Sequence, residues 1–236
     1  KPLIIFFIFC IYCILISIFV AEDMMLSFES SLFYFRIGVF SCFIWYLIDK
    51  DKSILTYFYY ALIVSFSALV IDGYYQFITG KNIFGLKLLG IRVSSFFGDE
   101  RIMGSYLSRL FPLLFALFLV KKKQKYEIYF IGLLFVLIEV LIYMSGERTA
   151  FFFLNLSTIF IIILIKKHQK FRLVTFVIAI ICISILSLNS TNLRDRMFKD
   201  TAQDMGLIKS SKEVTIFTPG HDSLYRTAYN MFRDQY

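Results

Sequence analysis

The stretch EIYFIGLLFVLIEVLIYMSGERTAFFFLNLSTIFIIILI, residues 127–165, joins two apolar runs through a short turn at residues 146–149. A helix needs about 20 apolar residues to cross the hydrocarbon layer, and roughly 17 is the lower limit. These runs are continuous rather than alternating, which favours helices over the strands of a membrane barrel. The charges of the turn are costly in lipid unless they face water or a partner. The stretch therefore predicts two membrane helices joined at a membrane surface.

The rest of the chain repeats this pattern. Of 236 residues, 58% are hydrophobic and 29 are Phe, more large apolar side chains than a soluble core of this size can bury. The composition predicts an all-α fold, a polytopic transmembrane helical bundle that occupies residues 1–188. The seven predicted spans are 3–20, 31–48, 54–71, 104–120, 127–144, 150–165 and 173–188.

Basic residues predict the orientation of these spans. Lysines concentrate in the connections 49–53, 121–125 and 166–172, whereas residues 21–30 contain no Lys or Arg. Cytoplasmic connections carry the excess of Lys and Arg, so the Lys-rich loops are predicted to be cytoplasmic. Segment 73–103 then forms an outer loop, and 189–236 begins a large outer loop of a longer protein. The formal net charge of +8 is explained by these topology signals, and no nucleic acid is expected as a partner.

Ionisable residues inside spans mark functional positions by default, with structural pairing as the alternative. Arg36, Arg109 and Glu139 each lie five to seven residues from the outer end of a predicted span, roughly 7–10 Å below the surface at about 1.5 Å per residue. Arg101 and Arg109 share one face of span four, and Arg148 lies in the next outer turn. One interpretation pairs Arg109 with Glu139. The other places the four arginines around an outward cavity that binds a phosphate, because guanidinium groups form bidentate bonds with phosphate oxygens.

Other candidate residues carry weaker signals. His168 is expected to be a solvated residue of a Lys-rich turn. His221 is a candidate base beside Asp222, although a residue flanking a helix cap is the simpler interpretation. A carboxylate pair of Asp222 with Asp204 or Asp200 has low specificity. No metal-ligand spacing occurs, so no metal and no cofactor are expected. The four cysteines fall inside apolar runs and are expected to be buried hydrophobic residues: Cys10, Cys13, Cys42 and Cys182.

Four segments together resemble the bacterial O-antigen polymerase and O-antigen ligase family of integral membrane glycosyltransferases. They are IDGYYQFITGKNIFG (71–85), FGDERIMGSYLSRLFPLLFAL (97–117), SGERTAFFF (145–153) and HDSLYRTAYNMFRD (221–234). The resemblance covers roughly residues 60–236. It implies a multi-pass protein of the bacterial inner membrane that transfers glycan from a polyprenyl pyrophosphate donor on the periplasmic side.

The resemblance also implies roles for particular residues. Arg148 and Arg101 are expected at the catalytic centre, where outward arginines bind the donor pyrophosphate. Arg109, Arg36 and Glu139 are expected to bind substrate because of their charge at membrane depth, and Gln76, in the resembling segment 71–85, is expected to bind it as well. The family's loop histidine is expected beyond residue 236, so His221 does not take its place.

Several functional interpretations follow from these observations. A polymerase is favoured over a ligase, and the two differ in the acceptor, a sugar repeat or a lipid core. The expected partners are a polyprenyl pyrophosphate-linked oligosaccharide, the lipid bilayer and other polysaccharide-assembly membrane proteins. A transporter or flippase for an anionic lipid-linked substrate is the main alternative. A non-catalytic scaffold, in which the arginines only pair with acids, is the third.

Overall fold

A computed structural model describes residues 2–88, 90–121, 126–204 and 219–234. Within those ranges the ordered elements are helical and no strand forms, which confirms the predicted all-α class. The long helices are α1 (Pro2–Phe19), α2 (Met24–Lys50), α3 (Ile54–Thr79), α4 (Met103–Val120), α5 (Glu127–Ser145), α6 (Arg148–Leu164) and α7 (Gln169–Asn189). They are followed by α8 (Thr191–Arg194), a π-helical turn (Asp195–Lys199), α9 (Asp200–Asp204) and α10 (Pro219–Asp234).

The helices have the length and composition of membrane spans. In the described part of the chain, five are long and apolar enough to cross a bilayer, namely α2, α3, α4, α5 and α7. Two further apolar helices, α1 and α6, are shorter. All seven predicted spans therefore coincide with apolar helices, and the chain is a multi-pass membrane protein.

Three predicted boundaries differ from the structure by more than two residues, and one of them is the start of α7, which is Gln169 rather than 173. Helix α2 begins at Met24 rather than at 31, because the side chain of Asp23 accepts the backbone N–H of Leu26 at 3.0 Å and caps the helix. Helix α3 continues to Thr79 rather than ending at 71. The loop between α3 and α4 therefore begins near residue 80, and the polar residues Asp72 and Gln76 belong to the last turns of a helix.

The chain divides into two compact units, Lys1–Tyr60 and Ala61–Tyr236. In the first unit, α1 packs against α2. A Cβ at Gly38 would lie 2.7 Å from Cε1 of Phe6, so the missing side chain lets the two helices approach closely. A buried hydrogen bond of 2.6 Å between the hydroxyls of Ser17 and Ser31 links the same helices.

In the second unit, α5 is the central helix and is buried along most of its length. Helix α3 approaches it at Gly73, where a Cβ would lie 2.7 Å from Cδ1 of Leu141. Helix α7 approaches it at Gly132, where a Cβ would lie 2.5 Å from Cε1 of Phe171. Small residues at such crossings increase van der Waals contact between helices, the main attraction between them in lipid.

A buried arginine closes the Lys-rich end of this unit. Arg172, near the start of α7, is 7% exposed and lies with its Cζ 5.1 Å from the centre of the Phe115 ring. Its guanidinium donates to the carbonyls of Ile161, Ile165 and Lys167 at the C-terminal end of α6. A cation at this position donates to the carbonyls of Ile165 and Lys167, which follow the last turn of α6, shares the carbonyl of Ile161 with the backbone N–H of Ile165, and interacts favourably with the helix dipole.

Candidate functional site: an arginine cluster

The loop between α3 and α4 is held by polar side chains from the end of α3. The side-chain oxygen of Gln76 accepts the backbone N–H groups of Ser94 at 2.9 Å and Ser95 at 2.7 Å. Its amide nitrogen donates to the carbonyls of Leu86 at 3.2 Å and Lys87 at 3.4 Å. Gln76 is 0% exposed and both ends of its amide are engaged, so in the structure it fixes the loop, and its role in binding substrate stays a prediction.

Asp72, one turn before Gln76, holds the same loop. Its carboxylate accepts the backbone N–H of Ile83 at 2.9 Å and the hydroxyl of Ser95 at 2.6 Å. The amide of Asn82 donates to the carbonyl of Ser95 at 3.1 Å. Hydrogen bonds in a buried polar network rigidify their surroundings, although the Oγ of Ser94 in the same loop has no partner among the described residues. In its described residues, 80–88 and 90–102, the loop between α3 and α4 is therefore a fixed platform rather than a tether.

This platform brings Arg92 to the C-terminal end of α5. Its Nε donates to the carbonyl of Ser145 at 2.6 Å, and the neighbouring backbone N–H of Val93 donates to the carbonyl of Met144 at 3.3 Å. Gly146 ends α5 with φ +66°, and a Cβ there would lie 3.0 Å from Nε of Arg196 and 3.4 Å from Nε of Arg92. A residue without a side chain thus leaves room for two guanidinium groups over the helix end.

The turn between α5 and α6 also fixes the beginning of α4. Glu147 accepts the backbone N–H groups of Gly104 at 2.6 Å and Ser105 at 2.9 Å. These groups belong to the first turn of α4, which has no helical acceptor for them, and a carboxylate there is favoured by the helix dipole. Arg101, which is exposed, lies two residues before the start of this helix. Glu147 therefore fixes the chain segment that carries Arg101.

Arg148, in the charged turn between α5 and α6, has a protein partner, because it binds the helical segment after α7. Its guanidinium forms an ion pair with Asp204 at 2.9 Å and donates to the hydroxyl of Thr201 at 3.3 Å. Leu193 and Met197 anchor that segment by their buried side chains. The segment carries Arg196 back over the turn.

Four arginines gather here, and we call Arg92, Arg101, Arg148 and Arg196 the arginine cluster. An open cleft of about 500 Å³ is lined by three of them and by polar residues of the segment after α7. Its side-chain lining includes Arg92, Arg101, Asn192, Asp195, Arg196 and Asp200.

The pKa of Arg92 reflects the charges that surround it in the arginine cluster. Burial lowers the pKa of its guanidinium, the charge of Arg196 lowers it further, and Arg101 and Arg148 act in the same direction. Glu147 opposes them, because a nearby carboxylate favours the charged form. Positive charge thus outweighs negative charge around Arg92, although aspartates lie nearby.

The other predicted arginines are not part of the cluster. Arg109 is exposed, about 9 Å along α4 from its first residue, Met103, at about 1.5 Å per residue, and it does not line the cleft. Arg36 belongs to the first unit, where its guanidinium lies 4.8 Å from the centre of the Phe33 ring.

The predicted ion pair between Arg109 and Glu139 does not form within the described chain. Glu139 is 1% exposed and its carboxylate accepts a hydrogen bond of 2.6 Å from the side-chain amide of Asn155, on α6. A neutral amide in a neighbouring helix replaces the arginine as its partner. Glu139 is therefore buried between helices rather than open to a substrate in the cleft.

The remaining candidates have simpler positions. Asp222 pairs with Arg226 at 2.8 Å within α10, and Asp204 is engaged by Arg148. The side chain of His221 lies outside the described residues. His168 lies at the Lys-rich end of the chain, where burial and neighbouring positive charges lower its pKa. Among the described residues, no group of three or more His, Cys, Asp or Glu side chains is placed to hold a metal ion.

Comparison of the chain with protein families, curated proteins and solved structures finds no match. Function is therefore inferred from the chemistry of the arginine cluster and from the membrane topology.

Proposed function

We propose that this chain is a membrane glycosyltransferase of surface-polysaccharide assembly in the bacterial inner membrane. It takes glycan from a polyprenyl pyrophosphate donor on the side opposite the Lys-rich connections, which we assign to the periplasm. The observation that supports this proposal is the arginine cluster around an open cleft, at the end of a helical unit whose other elements are membrane spans.

A diphosphate suits this cleft because of the charges that remain available. Asp204 is already paired with Arg148, and the carboxylate of Glu147 is occupied by the backbone of α4. The cleft itself is lined by three arginines and two aspartates. Guanidinium groups bind phosphate oxygens through two parallel hydrogen bonds, which an ammonium group cannot do. The polyprenyl tail of such a donor would lie in the bilayer beside the apolar helices.

The proposed reaction needs stabilisation of a leaving group more than activation of a nucleophile. The hydroxyl oxygen of the acceptor sugar forms a bond to C1 of the donor sugar, and the bond from C1 to the pyrophosphate oxygen breaks. The leaving pyrophosphate takes the electron pair, so negative charge grows on it in the transition state. Fixed cations aimed at that position stabilise the charge without reorganising. The hydroxyl proton passes to a carboxylate, and Asp195 and Asp200 are the carboxylates that line the cleft.

The acceptor defines the reaction class, and we propose a polymerase, whose acceptor is the next lipid-linked repeat. A ligase would instead use the lipid core of the outer surface. The two activities leave different products, because a polymerase defect leaves single repeats attached to the core, whereas a ligase defect leaves polymer on the polyprenyl carrier.

The test uses the full-length gene in cells that lack their own copy. Arg101→Gln and Arg196→Gln remove cluster charges, while Lys199→Gln removes an exposed ammonium group from the same segment as Arg196. We expect the first two variants to reach the membrane at normal levels and to lose the polysaccharide ladder on a gel. The Lys199→Gln ladder should remain normal.

A normal ladder from both cluster variants would contradict a donor-binding role. The fate of the lipid-linked repeat distinguishes the transferase from a transporter. A blocked transferase accumulates the repeat on the periplasmic face, where an added glycosidase reaches it, whereas a blocked flippase accumulates it on the cytoplasmic face.

A further inference from the structure

Helix α10 (Pro219–Asp234) has an apolar side and a polar side. At 3.6 residues per turn, its large apolar residues fall on an arc of about 160°. Each of them is more than half exposed: Leu224, Tyr225, Tyr229, Met231 and Phe232. An exposed apolar face of this continuity is unusual on a surface that meets only water.

The polar side of α10 is charge-balanced. Asp222 and Arg226 form an ion pair of 2.8 Å across one helical turn. Arg233 and Asn230 lie on the same side, and Asp234 follows in the sequence. Two aspartates and two arginines give this helix no net formal charge. Attraction to a charged surface therefore does not determine where α10 binds. The apolar face of the helix determines its binding site instead.

The dimensions of α10 exclude a membrane span. Its 16 residues make a helix about 24 Å long, less than the hydrocarbon thickness of about 30 Å, and half of its circumference is polar. A short helix with this division is suited to lie in the plane of the bilayer surface, with its apolar side among the acyl chains. Tyrosines near the edge of the apolar arc fit that depth, since their rings prefer the headgroup level.

The chain delivers α10 to the side of the membrane that carries the arginine cluster. Residues 190–234 contain no apolar run of span length, so no crossing separates α10 from the end of α7. Fourteen residues, 205–218, connect Asp204 with α10, and at about 3.3–3.6 Å per residue they reach no farther than about 50 Å. A connection of this length can reach the bilayer surface at which α7, a candidate span, ends.

We propose that α10 is an interfacial helix, whose apolar face inserts into the surface of the same membrane that α2 to α7 cross. The bilayer fits better than a second copy of the chain as the occupant of this face. A helix of this length and a width of about 10 Å presents roughly 240 Å², whereas a stable interface covers about 800 Å² on each partner. The proposal does not depend on the proposed function.

The test is depth measurement by spin labels on the full chain in vesicles. Cys10, Cys13, Cys42 and Cys182 are first replaced by Ala, and a label is attached at Leu224→Cys or, as the matched control on the polar side, at Asn230→Cys. We expect oxygen, which concentrates in lipid, to relax the label at 224 more than a water-soluble nickel chelate does. At position 230 the nickel chelate should relax the label more than oxygen does. The pair Phe232→Cys and Thr227→Cys repeats the comparison on another turn.

Two vesicle compositions test the role of charge. Phosphatidylcholine alone and its mixture with phosphatidylglycerol should give the same accessibilities, because α10 has no net charge to attract to anionic lipid. Insertion that requires phosphatidylglycerol would overturn the proposal, as would a label at 224 that the nickel chelate reaches freely. A label at 224 protected from both reagents would also overturn it, since that result indicates contact with protein.

Discussion

The carboxylate of Glu147 reaches from the turn before α6 to the first turn of α4 and accepts the backbone N–H of Gly104 at 2.6 Å. It accepts the next N–H, of Ser105, at 2.9 Å with its other oxygen. A side chain more than forty residues away in the sequence thus caps the start of α4. These two hydrogen bonds fix the start of α4 to the turn between α5 and α6.

Loss of this cap should be measurable as stability. We expect Glu147→Ala to lower the free energy of unfolding by about 1–2 kcal/mol, the range of a lost helix cap with its charge–dipole contribution. Glu147→Gln should lose less, because its amide oxygen still accepts one N–H. Denaturant unfolding in detergent micelles measures both. Glu100→Ala, an exposed acid just before α4, is the control and should leave the midpoint unchanged.

The ion pair of Arg148 with Asp204 should contribute modestly to stability. Its side chains are 26% and 34% exposed, and partly solvated pairs give coupling energies of about 0.2–1 kcal/mol in double-mutant cycles. We expect Arg148→Ala, Asp204→Asn and the double variant to show a coupling in that range. Additive effects of the two single changes would mean that the pair contributes nothing.

Variants of the two residues in this ion pair distinguish a structural role of Arg148 from a ligand-binding role. Asp204→Asn removes the pair but leaves the guanidinium beside the cleft, whereas Arg148→Ala removes both. If Arg148 binds the donor pyrophosphate, the polysaccharide ladder persists in Asp204→Asn and disappears in Arg148→Ala. Equal loss of the ladder in both variants would assign Arg148 to holding the segment after α7.

Arg172 should contribute more than any exposed cation. Its replacement by Gln removes the guanidinium donor from the part-buried carbonyls of Ile165 and Lys167, and a buried acceptor left without a donor costs about 1–3 kcal/mol. We expect Arg172→Gln to lower the thermal midpoint strongly in detergent, with little change for the exposed neighbour Lys170→Ala. Similar midpoints for the two variants would show that water replaces the guanidinium.

The crossing of α5 and α7 should not tolerate a larger residue at Gly132. A Cβ there would lie 2.5 Å from Cε1 of Phe171 and 2.9 Å from Cγ2 of Thr175. We expect Gly132→Leu to cost about 1–3 kcal/mol of unfolding free energy, the usual penalty of overpacking. The control is Leu133→Ala on the exposed side of α5. Equal unfolding midpoints would indicate that the helices separate freely at this point.

The sequence was sufficient for the helical class and for the centre of each apolar helix, because hydrophobic length alone determines both. It was insufficient where a polar residue belongs to a helix. Asp72 and Gln76 were predicted to lie outside the third span, whereas they belong to α3. Their polar side chains are tolerated there because the following loop supplies their hydrogen-bond partners. Glu22 and Asp23 suggested a connection, whereas Asp23 caps an early start of α2.

The site was predicted only in part. The charges of Arg101 and Arg148 stood out against apolar flanks, and both belong to the arginine cluster. Arg92 and Arg196 lie in polar segments, where an arginine is ordinary, so no local pattern distinguished them. Arg109 stood out equally but lies outside the cleft. Depth along a helix was predictable, whereas the direction in which a side chain points depends on packing that a single sequence does not reveal.

The connection of α5 with α6 is only two residues long, Gly146 and Glu147. A connection this short favours insertion of the two helices into the bilayer together, as a hairpin. Glu147 and Arg148 are adjacent in the turn, so their opposite charges leave no net charge to be moved if the turn crosses the membrane. Because α4 precedes this hairpin in the chain, the helix start that Glu147 caps is synthesised before its cap.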